Sequence, residues 1–309
     1  VFNRPDAVGD AVATLTPRLG IRANTPRHLL QLIATGHFRR FASESSENSE
    51  EFDLAARGGL DLTPAAGLFA TARYGRQIEP RSSVGIVPDA AEPVSFALVA
   101  ADLGAELELG ALWLRPAVHF EERTFSDLAL LGGGEADLSF RDLRRYGGEL
   151  GVGYSISGPV QLFSRLAYSE SESTDPAPDA ARDARDYAVL AGIRGELSAL
   201  VEAEFAVGYR NRDFTLARFR DYEGITYRGD LQWFVTPLVT LRVQASQDFL
   251  NSGLPEVAGI LSNRFSLTAY YDPLRNLRFA ATATYEHNDY RETDTSASRP
   301  SLRLAGQYR

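Results

Sequence analysis

Apolar and polar side chains alternate along most of this chain, most clearly from Leu112 to Arg123. Leu112, Leu114, Pro116, Val118 and Phe120 are apolar, and Trp113, Arg115, Ala117, His119, Glu121 and Arg123 stand between them. Strand side chains point to opposite faces in turn, so such a segment has one apolar and one polar face. The pattern predicts about fifteen strands, near 10–23, 27–40, 51–63, 66–78, 94–109, 111–123, 144–156, 160–171, 186–197, 199–213, 223–234, 238–249, 261–271, 276–289 and 299–309. Many are rich in Tyr, Phe, Val, Leu and Thr, which suit a pleated surface.

The connections are of two kinds. Short ones fall at Asn24-Thr25-Pro26, Thr63-Pro64-Ala65, Gly110, Ser157-Gly158-Pro159, Ser198, Thr236-Pro237 and Asp272-Pro273. Pro and Gly pre-set tight turns there. Long ones cover about 41–50, 79–93, 124–143, 172–185, 214–222, 250–260 and 290–298, and are rich in Ser, Glu, Asp, Arg and Gly. Short and long alternate strictly, as the turns and loops of an outer-membrane up-and-down barrel do. A soluble sandwich or repeat array shares the alternation of side chains but not this asymmetry. The predicted strands are also longer than the ~5–6 residues usual in soluble domains. Phe38, Tyr74, Phe120, Tyr168, Tyr209, Trp233 and Tyr285 sit near strand ends, as interfacial aromatic belts require.

The fold class expected is all-β: a transmembrane antiparallel up-and-down barrel, one domain over residues 1–309. The first and last readable strands both run from outside inward. Single-chain bacterial barrels have an even strand number, so an odd count predicts at least one further N-terminal strand. Further C-terminal strands fit the same reading, for a native barrel of about 16 or 18. Pro17, Pro116 and Pro300 fall inside predicted strands, where a missing N–H interrupts the ladder. Bulges or displaced strand starts are expected there.

Composition narrows the picture. Hydrophobic residues make up 44% of the 309, which argues against disorder. No run of about 18 apolar residues exists, which excludes a transmembrane helix but not membrane strands. Cys and Met are both absent, and the chain opens at Val1. It is therefore read as a processed form whose signal peptide is gone. Every basic side chain besides His is Arg. A net charge of −9, with no basic cluster, excludes a nucleic-acid partner.

If the apolar face meets lipid, the polar face lines the interior. That face is predicted to carry Arg18, Arg57, Arg73, Arg115, Arg165, Arg194, Arg210, Arg228, Arg242, Arg264, Arg278 and Arg303. Glu106, Glu149, Glu204, Asp230 and Glu286 are interleaved with them. Such a lumen is wet and filters solutes by charge. Arg forks bind carboxylates, phosphates and sugar hydroxyls. Arg–Glu ladders that only brace neighbouring strands are the alternative reading of any single residue.

Residues 124–143 hold an apolar and glycine-rich stretch, Leu128 to Glu135. It either constricts the barrel or, the favoured reading, packs externally on its neighbours. The acidic stretch Glu44 to Glu51 has no calcium-loop spacing and reads as a solvated loop. Four His residues, His28, His37, His119 and His287, are scattered and match no metal spacing. There is no GxSxG. No catalytic residue, metal or cofactor is expected, and a barrel hydrolase is the least favoured reading.

Several phrases resemble the putative β-barrel porin 2 family. They are Val1-Phe2-Asn3-Arg4-Pro5 with Val8-Gly9-Asp10-Ala11, Thr16-Pro17-Arg18-Leu19 and Thr25-Pro26-Arg27-His28. Tyr146-Gly147-Gly148-Glu149-Leu150, Thr236-Pro237-Leu238 and Tyr285-Glu286-His287-Asn288-Asp289-Tyr290 continue the likeness. The resemblance implies a Gram-negative outer-membrane channel, with exopolysaccharide export as a role and further strands at both ends. It implies outer-membrane lipid and lipopolysaccharide as surroundings, and a hydrophilic solute or polysaccharide as cargo. A non-conducting barrel that anchors envelope proteins is the alternative.

Overall fold

The computed structural model describes residues 9–79, 81, 87, 89–174 and 181–308. The strands are β1 Val12–Leu15, β2 Arg18–Asn24, β3 His28–Phe41, β4 Ser49–Thr63, β5 Ala66–Ile78 and β6 Ser95–Leu109. They continue with β7 Leu112–Phe125, β8 Leu128–Ala129, β9 Glu135–Ala136, β10 Leu143–Ser157, β11 Val160–Ser173 and β12 Ala184–Ser198. The rest are β13 Val201–Phe214, β14 Tyr222–Thr236, β15 Val239–Asn251, β16 Gly259–Leu274, β17 Leu277–Tyr290 and β18 Ser296–Tyr308. β8 and β9 form a small hairpin, and the other sixteen make one antiparallel sheet.

β1 and β2 pair with successive lengths of β3, so the sheet has fifteen positions. The break between them is Thr16-Pro17. Proline lacks a ladder donor, yet its carbonyl still accepts from Gly36 N at 3.0 Å, and the register continues beyond it. Pro116 acts similarly: the β6–β7 ladder lapses between Gly104↔Ala117 and Leu107↔Leu114, then resumes in register. Pro300 lies in the edge strand β18, opposite Tyr285.

The turns follow the expected asymmetry. Gly110 and Gly158, at φ +69° and +52°, supply left-handed backbone in two tight turns. Thr63 and Thr236 accept through Oγ1 from Ala65 N and Leu238 N, both at 3.2 Å. One expected turn is corrected. Asp272-Pro273 lies within β16, at a register shift between Tyr271 and Leu274, and the chain reverses after Leu274. The long connections are shorter than expected, because β4, β12, β16 and β18 begin at Ser49, Ala184, Gly259 and Ser296. The sequence phrase Val1 to Pro5, and parts of the loops at 79–93 and 172–185, lie outside the described residues.

The outward face carries exposed large apolar side chains on nearly every strand. Tyr74, Tyr168, Tyr187, Tyr209 and Tyr285 stand toward the long-loop end, and Tyr154, Trp233, Tyr271 and Tyr308 toward the short-turn end. Of the other expected belt residues, Phe38 and Phe120 are part-buried. On β10, Tyr146 and Tyr154 are eight residues apart. That is about 27 Å along a strand, comparable with the apolar band of about 25 Å in outer-membrane barrels.

Tight packing concentrates at the long-loop end. Ala90, Val94, Leu128 and Leu138 form one buried cluster, and Ala184, Phe214, Phe219, Tyr222, Phe249 and Ala258 another. Leu128 and Leu138 of the 124–143 segment thus pack on the neighbouring loop. Among the described residues no ladder joins β18 to β1 or β2. Both edges are open, with Leu19 70%, Leu304 74% and Tyr308 75% exposed.

Candidate functional site

Strand register decides which side chains share a face. Leu30, Leu54, Tyr74, Val99, Val118, Leu150, Leu166, Val189 and Phe205 mark the exposed apolar face. Every predicted Arg and acid falls on the opposite face by the period of two. That face is concave. A single cleft of about 900 Å³ draws on β2 to β7 and β10, with Arg57, Thr71, Asp102, Glu106, Arg115, His119 and Glu149 on its walls. A second, of about 860 Å³, is lined by Gln161, Arg194, Glu204, Arg228, Asp230 and Arg242.

Many of these residues meet. Arg115 Nε lies 3.2 Å from Glu106, and Arg165 Nε lies 3.2 Å from Glu149. Arg165 also reaches Glu204 at 4.0 Å, across the intervening β12. Arg242 Nη2 lies 2.7 Å from Asp230, which also accepts from Gln244 at 2.7 Å. Arg210 donates to both oxygens of Asp186 at 3.0 Å, Arg228 approaches Asp248 at 3.5 Å, and Arg278 approaches Asp272 at 2.6 Å. Arg73 pairs with Asp53. Arg194 donates to the neutral Gln161 at 2.9 Å.

Others stay apart. Arg264 stands opposite Glu286, yet Glu286 accepts from Asn288 Nδ2 at 2.9 Å. Among the described residues Arg18, Arg57, Arg264 and Arg303 have no ion-pair partner. Exposed pairs on this face contribute little stability, about 0–1 kcal/mol each. Their main effect is to fix guanidinium positions and to leave a few charges free.

The alternation sets Trp113 with the polar side chains of its strand, and Phe69 and Phe163 join it as inner-wall features that a lipid-contact reading of aromatic positions passes over. The alternation places all three on the inner face. Arg115 stacks over Phe69 at 4.9 Å, and Arg194 over Trp113 at 4.6 Å. The acids Asp186, Asp248 and Asp272 belong to the same face and were legible by the same count.

The long-loop mouth is crossed by contacts between distant loops. Arg141 pairs with Glu79 at 2.6 Å. Arg182, 5% exposed, lies over Phe140 at 4.9 Å and donates to the carbonyls of Ser252 and Leu254. Burial pulls its guanidinium down to about 10, so it keeps its charge at neutral pH.

The histidines are engaged separately. His37 contacts Thr16 Oγ1 at 2.9 Å and accepts from Arg39 Nε at 2.9 Å. On the outer face His287 Nδ1 lies 2.9 Å from Ser298 Oγ, and its Nε2 lies 3.1 Å from Asp289. No group of three metal-ligating side chains occurs among the described residues.

Solved structures share this architecture. The FrpB iron transporter from Neisseria meningitidis is similar at TM-score 0.58 and 8% identity, covering 97% of this chain and 60% of that one. The siderophore receptor PirA from Acinetobacter baumannii gives 0.54 at 7% identity, covering 98% and 56%. The ferric enterobactin receptor PfeA from Pseudomonas aeruginosa gives 0.55 at 11% identity, covering 95% and 57%. At such identities the likeness is one of fold, and this chain spans less than two thirds of their length. No curated protein matches the chain. The family described as Putative beta-barrel porin 2 matches residues 1–309; the chain belongs to that family and is a bacterial outer-membrane β-barrel.

Proposed function

We propose that this barrel is a channel for hydrophilic solutes, with exopolysaccharide export as its role. The observation that carries the reading is the concave face, where Arg and acid side chains recur from strand to strand along clefts of hundreds of Å³. A face built only for bracing has no need of Arg57, Arg264 and Arg303, which have no ion-pair partner among the described residues. Fixed charges of both signs keep such a passage hydrated and sort what crosses it. The aromatic belts support outer-membrane lipid and lipopolysaccharide as its surroundings.

The proposal includes closure. β2 and β18 run in the same direction, because they hold the first and last of fifteen positions in an antiparallel order. Antiparallel closure therefore takes an odd number of added strands, giving about 16 or 18. Planar-bilayer conductance of the complete purified barrel tests the channel. Discrete, voltage-supported currents are expected, and a folded barrel without conductance sinks the reading in favour of a non-conducting envelope anchor. The packed long-loop mouth around Arg182 is the observation that favours that alternative.

One contact favours a hydrolase. Ser298, His287 and Asp289 touch in series on the outer face, where Tyr285 Oη also lies 3.0 Å from Ser298 Oγ. A serine activated this way reacts with fluorophosphonate probes. Absence of labelling that depends on Ser298 removes this reading.

A further inference from the structure

Three inward rings share one construction. Phe69 stands opposite Gly104, Trp113 opposite Gly153, and Phe163 opposite Gly192. A Cβ at any of these glycines would overlap the ring, so each ring lies over its neighbour's backbone instead of projecting inward. All three pairs lie in the short-turn half of their strands.

Each ring is covered by a guanidinium. Arg115 lies 4.9 Å from the Phe69 centroid, and Arg194 lies 4.6 Å from Trp113 and 5.9 Å from Phe163. Arg165 lies 5.7 Å from Phe163. Ring faces hold guanidinium planes flat by cation–π attraction. The in-plane N–H groups then meet acceptors: Glu106 at Arg115, Gln161 at Arg194, and Glu149 and Glu204 at Arg165.

The result is continuous. The clefts of about 900 and 860 Å³ are bridged by a smaller one of about 240 Å³. The bridge shares Glu106 and Arg115 with the first, and Gln161 and Arg194 with the second. Its two guanidiniums, Arg115 and Arg194, balance its two carboxylates, Glu106 and Glu108. An anionic chain would meet the acids, and a cationic chain the arginines. A hydroxyl both donates and accepts, and so satisfies both partners of an Arg–Glu pair. The flat C–H face of a sugar ring suits the open planes of guanidiniums stacked on these rings.

We propose that this band is the track of a neutral, hydroxyl-rich oligosaccharide chain; the proposal rests on the channel reading and specifies its cargo. Trp113 is the natural reporter. The only other tryptophan, Trp233, is on the lipid face and is removed by Trp233→Phe. The intact barrel in nanodiscs is titrated with cellohexaose and, separately, with a galacturonate hexamer. Wild-type currents are recorded with each sugar present.

Saturable change of Trp113 emission and saturable current block by cellohexaose are expected. Arg194→Gln is expected to weaken both by about tenfold, the loss of one charge-assisted hydrogen bond. A conducting barrel that cellohexaose neither quenches nor blocks overturns the track while leaving the channel standing. Tighter binding of the galacturonate hexamer overturns the neutral-chain assignment. A silent barrel overturns the channel itself, and the track with it. If Trp233→Phe fails to fold, current block of the wild type decides alone.

Discussion

Arg182 donates through Nη2 to the carbonyl oxygen of Leu254 at 2.6 Å, so one buried side chain ties the loop after β11 to the loop after β15. Its Nη1 makes a second such bond to Ser252. Hydrogen bonds to a charged donor contribute about 1.5–3 kcal/mol each. Arg182→Ala is expected to loosen this mouth, raising conductance and deuterium uptake across residues 252–258. Unchanged uptake there would show that the loops hold without it.

Charge selectivity reports on the inner-face arginines. Arg57→Gln removes a positive charge with no ion-pair partner among the described residues, whereas Arg73→Gln also releases the carboxylate of Asp53. Each variant removes a single positive charge, so reversal potentials in a salt gradient are expected to move toward cation preference by similar amounts. A clearly smaller move for Arg73→Gln would mean that the released Asp53 carboxylate is neutralised by a proton or a bound cation.

Gly208 faces backbone. A Cβ there would overlap the Val189 carbonyl and come 2.7 Å from Leu190 Cα, with no flexible side chain to give way. Gly208→Val is expected to cost about 1–3 kcal/mol, as overpacking does. The check is a lowered unfolding midpoint in heat-modifiability gels, and a wild-type midpoint would contradict the close approach of β12 and β13.

Acid should release the first strand's start. The Asp10 carboxylate accepts from Glu44 N at 2.9 Å and from Ser43 N at 3.1 Å, and these bonds, Glu44 foremost, hold its pKa below the usual value. A lowered folded pKa means that this clasp is fully present above the unfolded value, about 4, and is lost as pH falls through the folded one. Amide exchange at Ser43 and Glu44 should therefore rise in acid toward that of Asp10→Asn. Identical exchange in the two proteins at neutral pH would refute the clasp.

The open seam makes a cross-linking prediction. With a strand between them, β2 and β18 stand about 10 Å apart, beyond disulfide reach. In the complete protein, Leu19→Cys combined in turn with cysteines placed along residues 296–308 should give no disulfide. A bridge at any pairing would mean direct closure and a fifteen-position barrel.

The fold was largely legible because one period governs it. Leu112 to Arg123 announces two faces, and the register keeps Arg115 and Val118 on the sides the alternation assigned. Pro17 marked the edge-strand break for a covalent reason. Asp272-Pro273 misled, because a proline before a turn and a proline in a bulge look alike in one dimension. The Arg182 clasp was illegible: it joins residues about 70 positions apart through backbone carbonyls, which carry no residue identity. Phe163 was visible to the alternation but hidden by the assumption that aromatic rings belong to lipid.

Each strand of the sheet pairs with its neighbours in sequence, apart from β1, which shares β3 with β2, and β7 and β10, which pair around a small hairpin. Assembly can therefore proceed hairpin by hairpin, each step closing only a short loop of chain. The exception is the seam, where the two ends of the order must be brought together at once. In a closed barrel that last joining is the slow, entropy-laden event.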